Sequence, residues 1–122
     1  MPNPERPSLK ELVDFADLMA RVEDDQELLE ELFALFREGY PEQRQLLEAA
    51  LQQGDWPRVA KLAHLLKGML ANLSFSQGVR LAVAMEASAR ETDAVATRQT
   101  LAEFDREVAA LMAALDAPQA IA

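Results

Sequence analysis

The chain contains a single histidine, His64, set in the run Ala63-His64-Leu65-Leu66-Lys67-Gly68. Read as a helix from Val59 to Leu73, this stretch places Val59, Leu62, Ala63, Leu66, Met69, Leu70 and Leu73 on one side. That apolar stripe is the core-facing side at about 100° per residue. His64 falls about 150° from its centre, so the imidazole is predicted to face solvent. Lys61, Lys67, Gly68 and Ala71 stand at i−3, i+3, i+4 and i+7 from it and share the outer face. Ammonium groups beside an imidazole favour its neutral, nucleophilic form and would hold an anionic group attached to the ring. Gly68 costs ~1 kcal/mol in a helix interior relative to alanine. Because it faces outward, its predicted role is to let a partner's backbone approach the ring. Taken singly, each of these residues reads as ordinary helix surface; their grouping marks a reaction site.

Other chemistries fit less well. A nucleophilic triad needs two further groups, and no serine or carboxylate partner for His64 is evident in this window. The chain has no cysteine, which excludes disulfides, thiol catalysis and zinc–thiolate centres. A metal or haem site inside a helical bundle needs several inward-facing ligands, so no metal and no cofactor is expected. The acidic residues show no repeated Glu-x-x-His spacing and read as a solvated face. The five methionines read as core filling. A net charge of −9 argues against nucleic acid and against an anionic membrane surface, since both call for a basic stripe. No apolar run approaches the ~20 residues that span a bilayer, and the N-terminus lacks the apolar core of a signal peptide. The expected location is the cytoplasm.

The elements that must position His64 are helical throughout. With 122 residues, four glycines and half the residues hydrophobic, the chain fits one domain able to bury a core. Residues 1–7 hold three prolines and are predicted to be a flexible lead-in. Ser8 to Glu11 has capping-box spacing and should start a short helix through Leu12, Phe15, Ala16 and Met19. Asp24-Asp25 marks a new start. From there Leu29, Phe33, Phe36, Tyr40, Leu47 and Leu51 keep one helical track across Gly39-Tyr40-Pro41. One long helix from Asp25 to Gln53, kinked near Pro41, is therefore expected in preference to two. Gly54-Asp55 ends it and caps the His64 helix, which should run to about Asn72. Ser74 to Gln77 repeats the capping-box spacing, with Ser74 as N-cap. The helix that follows, to about Arg90, is expected to bury Val79, part of Leu81, Ala82, Val83, Met85 and Ala89. Thr92-Asp93 caps the last helix, where Leu101, Phe104, Val108, Leu111 and Leu115 repeat at 3/4 spacing. Short connections force antiparallel neighbours. The expected fold is all-α, an antiparallel up-down four-helix bundle over residues 8–116 with a short extra N-terminal helix and a flexible tail over 117–122.

These residues carry a resemblance. Asp55-Trp56, Leu62-Ala63-His64-Leu65-Leu66-Lys67-Gly68 and Asn72-Leu73 resemble the histidine-containing phosphotransfer (HPt) domain family. That family has Ala-His-x-Leu-Lys-Gly on an exposed helix of a four-helix bundle. The similarity extends back through the apolar run at Glu31 to Phe36 and Ala49-Ala50-Leu51, and forward to Met85-Glu86. It covers roughly Phe15 to Leu115. The chain departs from the family at Ser74, where glycine is usual; a changed turn with Ser74 capping the next helix is expected.

The resemblance implies a phosphorelay carrier without kinase activity of its own. His64 would take a phosphoryl group from the aspartate of one receiver domain and pass it to another, in response regulators and in a hybrid histidine kinase. Lys67 and Lys61 would stabilise the phosphoryl group, and Gly68, Leu65, Ala71 and Asn72 would meet the receiver. Mg²⁺ would belong to the receiver, and the carrier would act as a monomer. Two alternatives stand beside this one. The bundle could sequester a receiver or kinase without using His64, or it could be a detached domain of a larger kinase. The initiating methionine and proline-rich start make a complete small protein the more natural expectation.

Overall fold

A computed structural model describes residues 7–116, and among these there are six helices and no strand. They are α1 (Leu9–Leu12), α2 (Phe15–Arg21), α3 (Gln26–Gln53), α4 (Trp56–Ala71), α5 (Ser76–Arg90) and α6 (Ala94–Asp116). The last four form the bundle, each packing on its neighbour in sequence: α3 on α4, α4 on α5, α5 on α6. Turns of two to four residues reverse the chain at 54–55, 72–75 and 91–93, so the helices run up and down. The lead-in and tail expected over 1–7 and 117–122 fall, Pro7 apart, outside the described residues.

The long third helix crosses Pro41 uninterrupted. An interior proline removes one backbone hydrogen bond, at ~3 kcal/mol, and buried apolar area offsets that cost. Leu29, Phe33, Phe36, Tyr40, Leu47, Ala50 and Leu51 are all buried on its inner face, each large side chain contributing ~1.5–3 kcal/mol. Tyr40 stacks on Phe36 with ring centroids 5.3 Å apart and meets Phe104 of α6 at 6.4 Å. Burial, reinforced by nearby Asp105, pushes the Tyr40 hydroxyl far above its ordinary pKa. Arg44 grips Asp105 with two 2.8 Å hydrogen bonds, and Arg98 holds Glu48. These contacts close the bundle between α3 and α6.

The caps follow their residues. Asp25, Asp55 and Asp93 each accept from a backbone N–H three residues on, at 3.1, 3.2 and 3.0 Å, which satisfies donors that a helix start leaves open. Gly54 ends α3 with φ of 66°, the left-handed geometry glycine adopts at little cost.

Several expectations are corrected. The leading helix is two helices, because the backbone turns extended at Val13 and Asp14 caps a new start through Asp17. The break lets the Asp14 N–H reach the Ser74 carbonyl at 3.0 Å, tying α2 to the α4–α5 turn. Ser8 stands at the N-cap without a side-chain hydrogen bond. Ser74 does not cap α5; the N-cap is Phe75, again with no side-chain bond. Ser74 instead takes φ of 54°, the left-handed conformation suited to the family's usual glycine. Its hydroxyl donates to Asp17 at 2.6 Å. The turn is kept and the serine is fitted to it. Val83 is exposed, not buried, because it lies well over 90° from the stripe that Ala82, Met85 and Ala89 send inward.

Candidate functional site

Helix α4 presents His64 because its opposite side is fully committed to the core. Val59, Ala63, Leu66 and Leu70 are completely buried, and this fixes the rotation of the helix. The His64 side chain is left 61% exposed, as the helical phase predicts. Lys61 is exposed, Lys67 half-buried, and Leu65 45% exposed beside the ring.

Gly68 stands one turn on. A Cβ built there meets nothing within 4 Å, so packing within this protein does not demand glycine. Gly78 is the contrast: a Cβ there would press to 2.7 Å of Leu70 and 2.8 Å of Phe75. Ala71 is half-buried, and Asn72 is exposed and closes α4 by donating its N–H to the Gly68 carbonyl at 3.1 Å. Ala71 also lines a groove of about 280 Å³ with Asp14, Asp17, Ser74, Ser76 and Arg80. The residues singled out in the sequence therefore share one face of α4, with Leu65 and Asn72 towards its edge.

One member of the site comes from the neighbouring helix. Glu86 of α5 places Oε1 3.1 Å from His64 Nδ1, and its other oxygen accepts from Arg90 one turn along. The Glu86 side chain is only 13% exposed. Partial burial by itself pushes this carboxyl upward, but the His64 hydrogen bond and the Arg90 guanidinium outweigh it. The net effect holds Glu86 below the ordinary glutamate value. An ionised carboxylate only accepts, so the Nδ1 position carries the hydrogen. The Nε2 lone pair is then free on the solvent side. This corrects the expectation that His64 lacks a carboxylate partner and that the acidic residues are all solvated surface. The sequence holds a partial signal for it. In an antiparallel α4–α5 hairpin, Glu86 follows the inward Met85 and is the only acidic residue between Trp56 and Arg90.

Among the described residues, no group of three or more histidine and carboxylate side chains is placed to hold a metal ion. No helix among them is long and apolar enough to cross a membrane.

This arrangement is that of a small helical bundle with one accessible imidazole. The family model of the Hpt domain matches residues 31–117, and the chain belongs to that family. It is a phosphotransfer module of the kind used in two-component systems, where Hpt domains carry phosphoryl groups without autonomous kinase activity and interact with receiver domains. Searches among curated proteins and among solved structures return no match.

Proposed function

We propose that His64 is the phosphorylated residue, taking a phosphoryl group from a receiver-domain aspartate and passing it to the aspartate of another receiver. The observation that carries this reading is the His64–Glu86 pair, which commits Nδ1 and leaves Nε2 as the nitrogen available on a side chain that is 61% exposed. The Nε2 lone pair attacks phosphorus in line as the bond to the aspartyl oxygen breaks, and the aspartate leaves as a carboxylate. The ring then bears an N–P bond on one side and the Nδ1 hydrogen on the other. Its positive charge is balanced by the Glu86 carboxylate. Transfer to the second receiver is the same step reversed.

Little else is asked of this chain. Phosphoryl transfer depends mainly on positioning and on charge stabilisation. The acidic residues and Mg²⁺ that complete the site would come from the receiver. Lys67 supplies a cation beside the phosphoryl oxygens, with Lys61 on the other flank. Gly68 opens the surface, and Leu65, Ala71 and Asn72 meet the incoming domain. The protein would work as a cytoplasmic monomer.

The test is transfer of labelled phosphate from a panel of phosphorylated receiver domains. Acid-labile, base-stable label on the wild-type chain and none on His64→Gln supports the reading. Absence of transfer across the panel, or undiminished labelling of His64→Gln, overturns it in favour of a bundle that only sequesters its partner.

A further inference from the structure

Orienting the His64 ring does not require a charge. A neutral amide oxygen in the place of Glu86 Oε1 would accept the same hydrogen bond from Nδ1, without the cost of withdrawing an ion from water. The chain has a carboxylate there instead. It is the least exposed carboxylate of any ion pair among the described residues, at 13% against 33% for Glu48, the next. Burial is the first of the influences on Glu86 and works against its ionisation, yet the His64 hydrogen bond and Arg90 keep it ionised. A charge is thus held where charge is costly, and the hydrogen bond alone does not account for it.

The charge distinguishes two states of the ring. Before transfer the ring is neutral, with its hydrogen on Nδ1 and its lone pair on Nε2. As phosphorus moves, the P–O electron pair stays with the aspartate, the Nε2 pair forms the P–N bond, and no proton changes place. The ring is then cationic, with Nδ1–H still on Glu86. A carboxylate in contact with the ring stabilises the cation more than the neutral form. A difference of that kind between two states is what displaces an equilibrium. Among the described residues, Glu86 is the only carboxylate paired with His64. The other charges beside the ring are cations: Lys61 and Lys67 on α4, and Arg90 on α5. On α3, the other helix packed on α4, Arg44 and Glu48 are engaged with α6. The cations suit the phosphoryl oxygens and oppose a charged ring, so the ring's charge is met by Glu86 alone.

We propose that the charge of Glu86, as distinct from its hydrogen bond, sets the balance of phosphoryl exchange, drawing the group from a receiver aspartate onto His64 and holding it there until a second receiver takes it. The inference rests on the function proposed above and adds to it the side on which the exchange comes to rest. An opposite charge in contact favours the charged form of a neighbouring group by about tenfold or more. With the ring 61% exposed and Arg90 sharing the carboxylate, the lower end, about tenfold, is expected.

The experiment measures the second-order rates of phosphoryl transfer in both directions between one receiver and the wild type, Glu86→Gln and Glu86→Ala. The ratio of the two rates is the equilibrium constant. In Glu86→Gln, which keeps an acceptor for Nδ1–H, the ratio is expected to fall about tenfold towards the receiver. Glu86→Ala should show the same fall in the ratio, with a larger loss in each rate because the ring is also unmoored. A Glu86→Gln ratio equal to that of the wild type, or displaced towards the histidine, overturns the proposal and leaves the transfer function standing. So does a fall in Glu86→Ala alone, which would assign the effect to the hydrogen bond. Absence of labelling of the wild type from any receiver removes both.

Discussion

Glu86 Oε1 sits 3.1 Å from His64 Nδ1, so the imidazole is oriented by the helix beside it and not by its own. The imidazole hangs on α4, and its hydrogen-bond partner is anchored on α5 through Arg90. Removing the carboxylate frees the ring to turn and to place its hydrogen on either nitrogen. Misplacement of a reacting group by about 1 Å can cost ~10²-fold. Glu86→Ala is therefore expected to slow phosphoryl transfer by ten- to a hundredfold, in the order of that cost. Glu86→Gln, whose amide oxygen still accepts, should lose less. Nitrogen-15 NMR of the imidazole should show the Nδ1–H form dominant in the wild type and a mixture in Glu86→Ala. An unchanged tautomer mixture in Glu86→Ala would remove the orienting role.

The two helical glycines are expected to respond in opposite ways. Gly68→Ala enters open space and gains helix propensity, so thermal unfolding should show a rise of about 0.5–1 kcal/mol. On the proposed function, transfer from a receiver should nevertheless slow, since the added methyl would stand where the receiver is proposed to approach. Gly78→Ala presses on Leu70 and Phe75 and should destabilise by ~1–3 kcal/mol through overpacking. Destabilisation by Gly68→Ala would contradict the open surface found there.

Ser74 carries opposing contributions. Its left-handed backbone costs ~1–2 kcal/mol, and its hydroxyl returns part of this through Asp17. Ser74→Gly removes both and is expected to change stability by less than about 1 kcal/mol. Ser74→Ala keeps the backbone cost without the hydrogen bond and should lose ~1 kcal/mol or more. Chemical denaturation of the pair gives the order directly.

Glu48 contributes to the pH dependence of stability, beside Asp17 and Glu86. The hydrogen bond from Arg98 comes first among the influences that hold this carboxyl below its ordinary value of 4.5, and it prevails over partial burial, which raises it. A folded-state value below the unfolded one gives stability that is complete above the unfolded value. It is lost as pH falls through the folded one. Denaturant midpoints should therefore drop between roughly pH 5 and pH 3. Glu48→Gln should flatten that drop by up to ~1 kcal/mol, the pair being partly exposed and screened.

Helical phase was enough to place His64 outward and the α3 and α6 stripes inward, because an apolar run of that regularity has one way to meet a core. Asp25, Asp55 and Gly54 were legible as caps, since the aspartate side chains act within three residues and the glycine supplies the left-handed turn by itself. Glu86 was not legible as a partner. Its role depends on the register between two helices, which no spacing within α5 encodes. The capping role expected of Ser74 fails for a related reason: capping-box spacing is satisfied, yet the hydroxyl is drawn to Asp17, 57 residues away in sequence. Val83 was placed in the core on hydrophobicity alone, although its phase puts it outside. The break between α1 and α2 likewise depends on a distant carbonyl, that of Ser74.

The family match begins at residue 31, whereas the core begins earlier. Leu9, Val13, Leu18, Val22 and Leu29 are all buried, and α2 is moored to the α4–α5 turn by Asp14 and Asp17. The piece that the family match covers is thus shorter than the piece that shares its core. A fragment cut at the family boundary would keep His64 and uncover the end of the bundle, leaving apolar surface that invites aggregation.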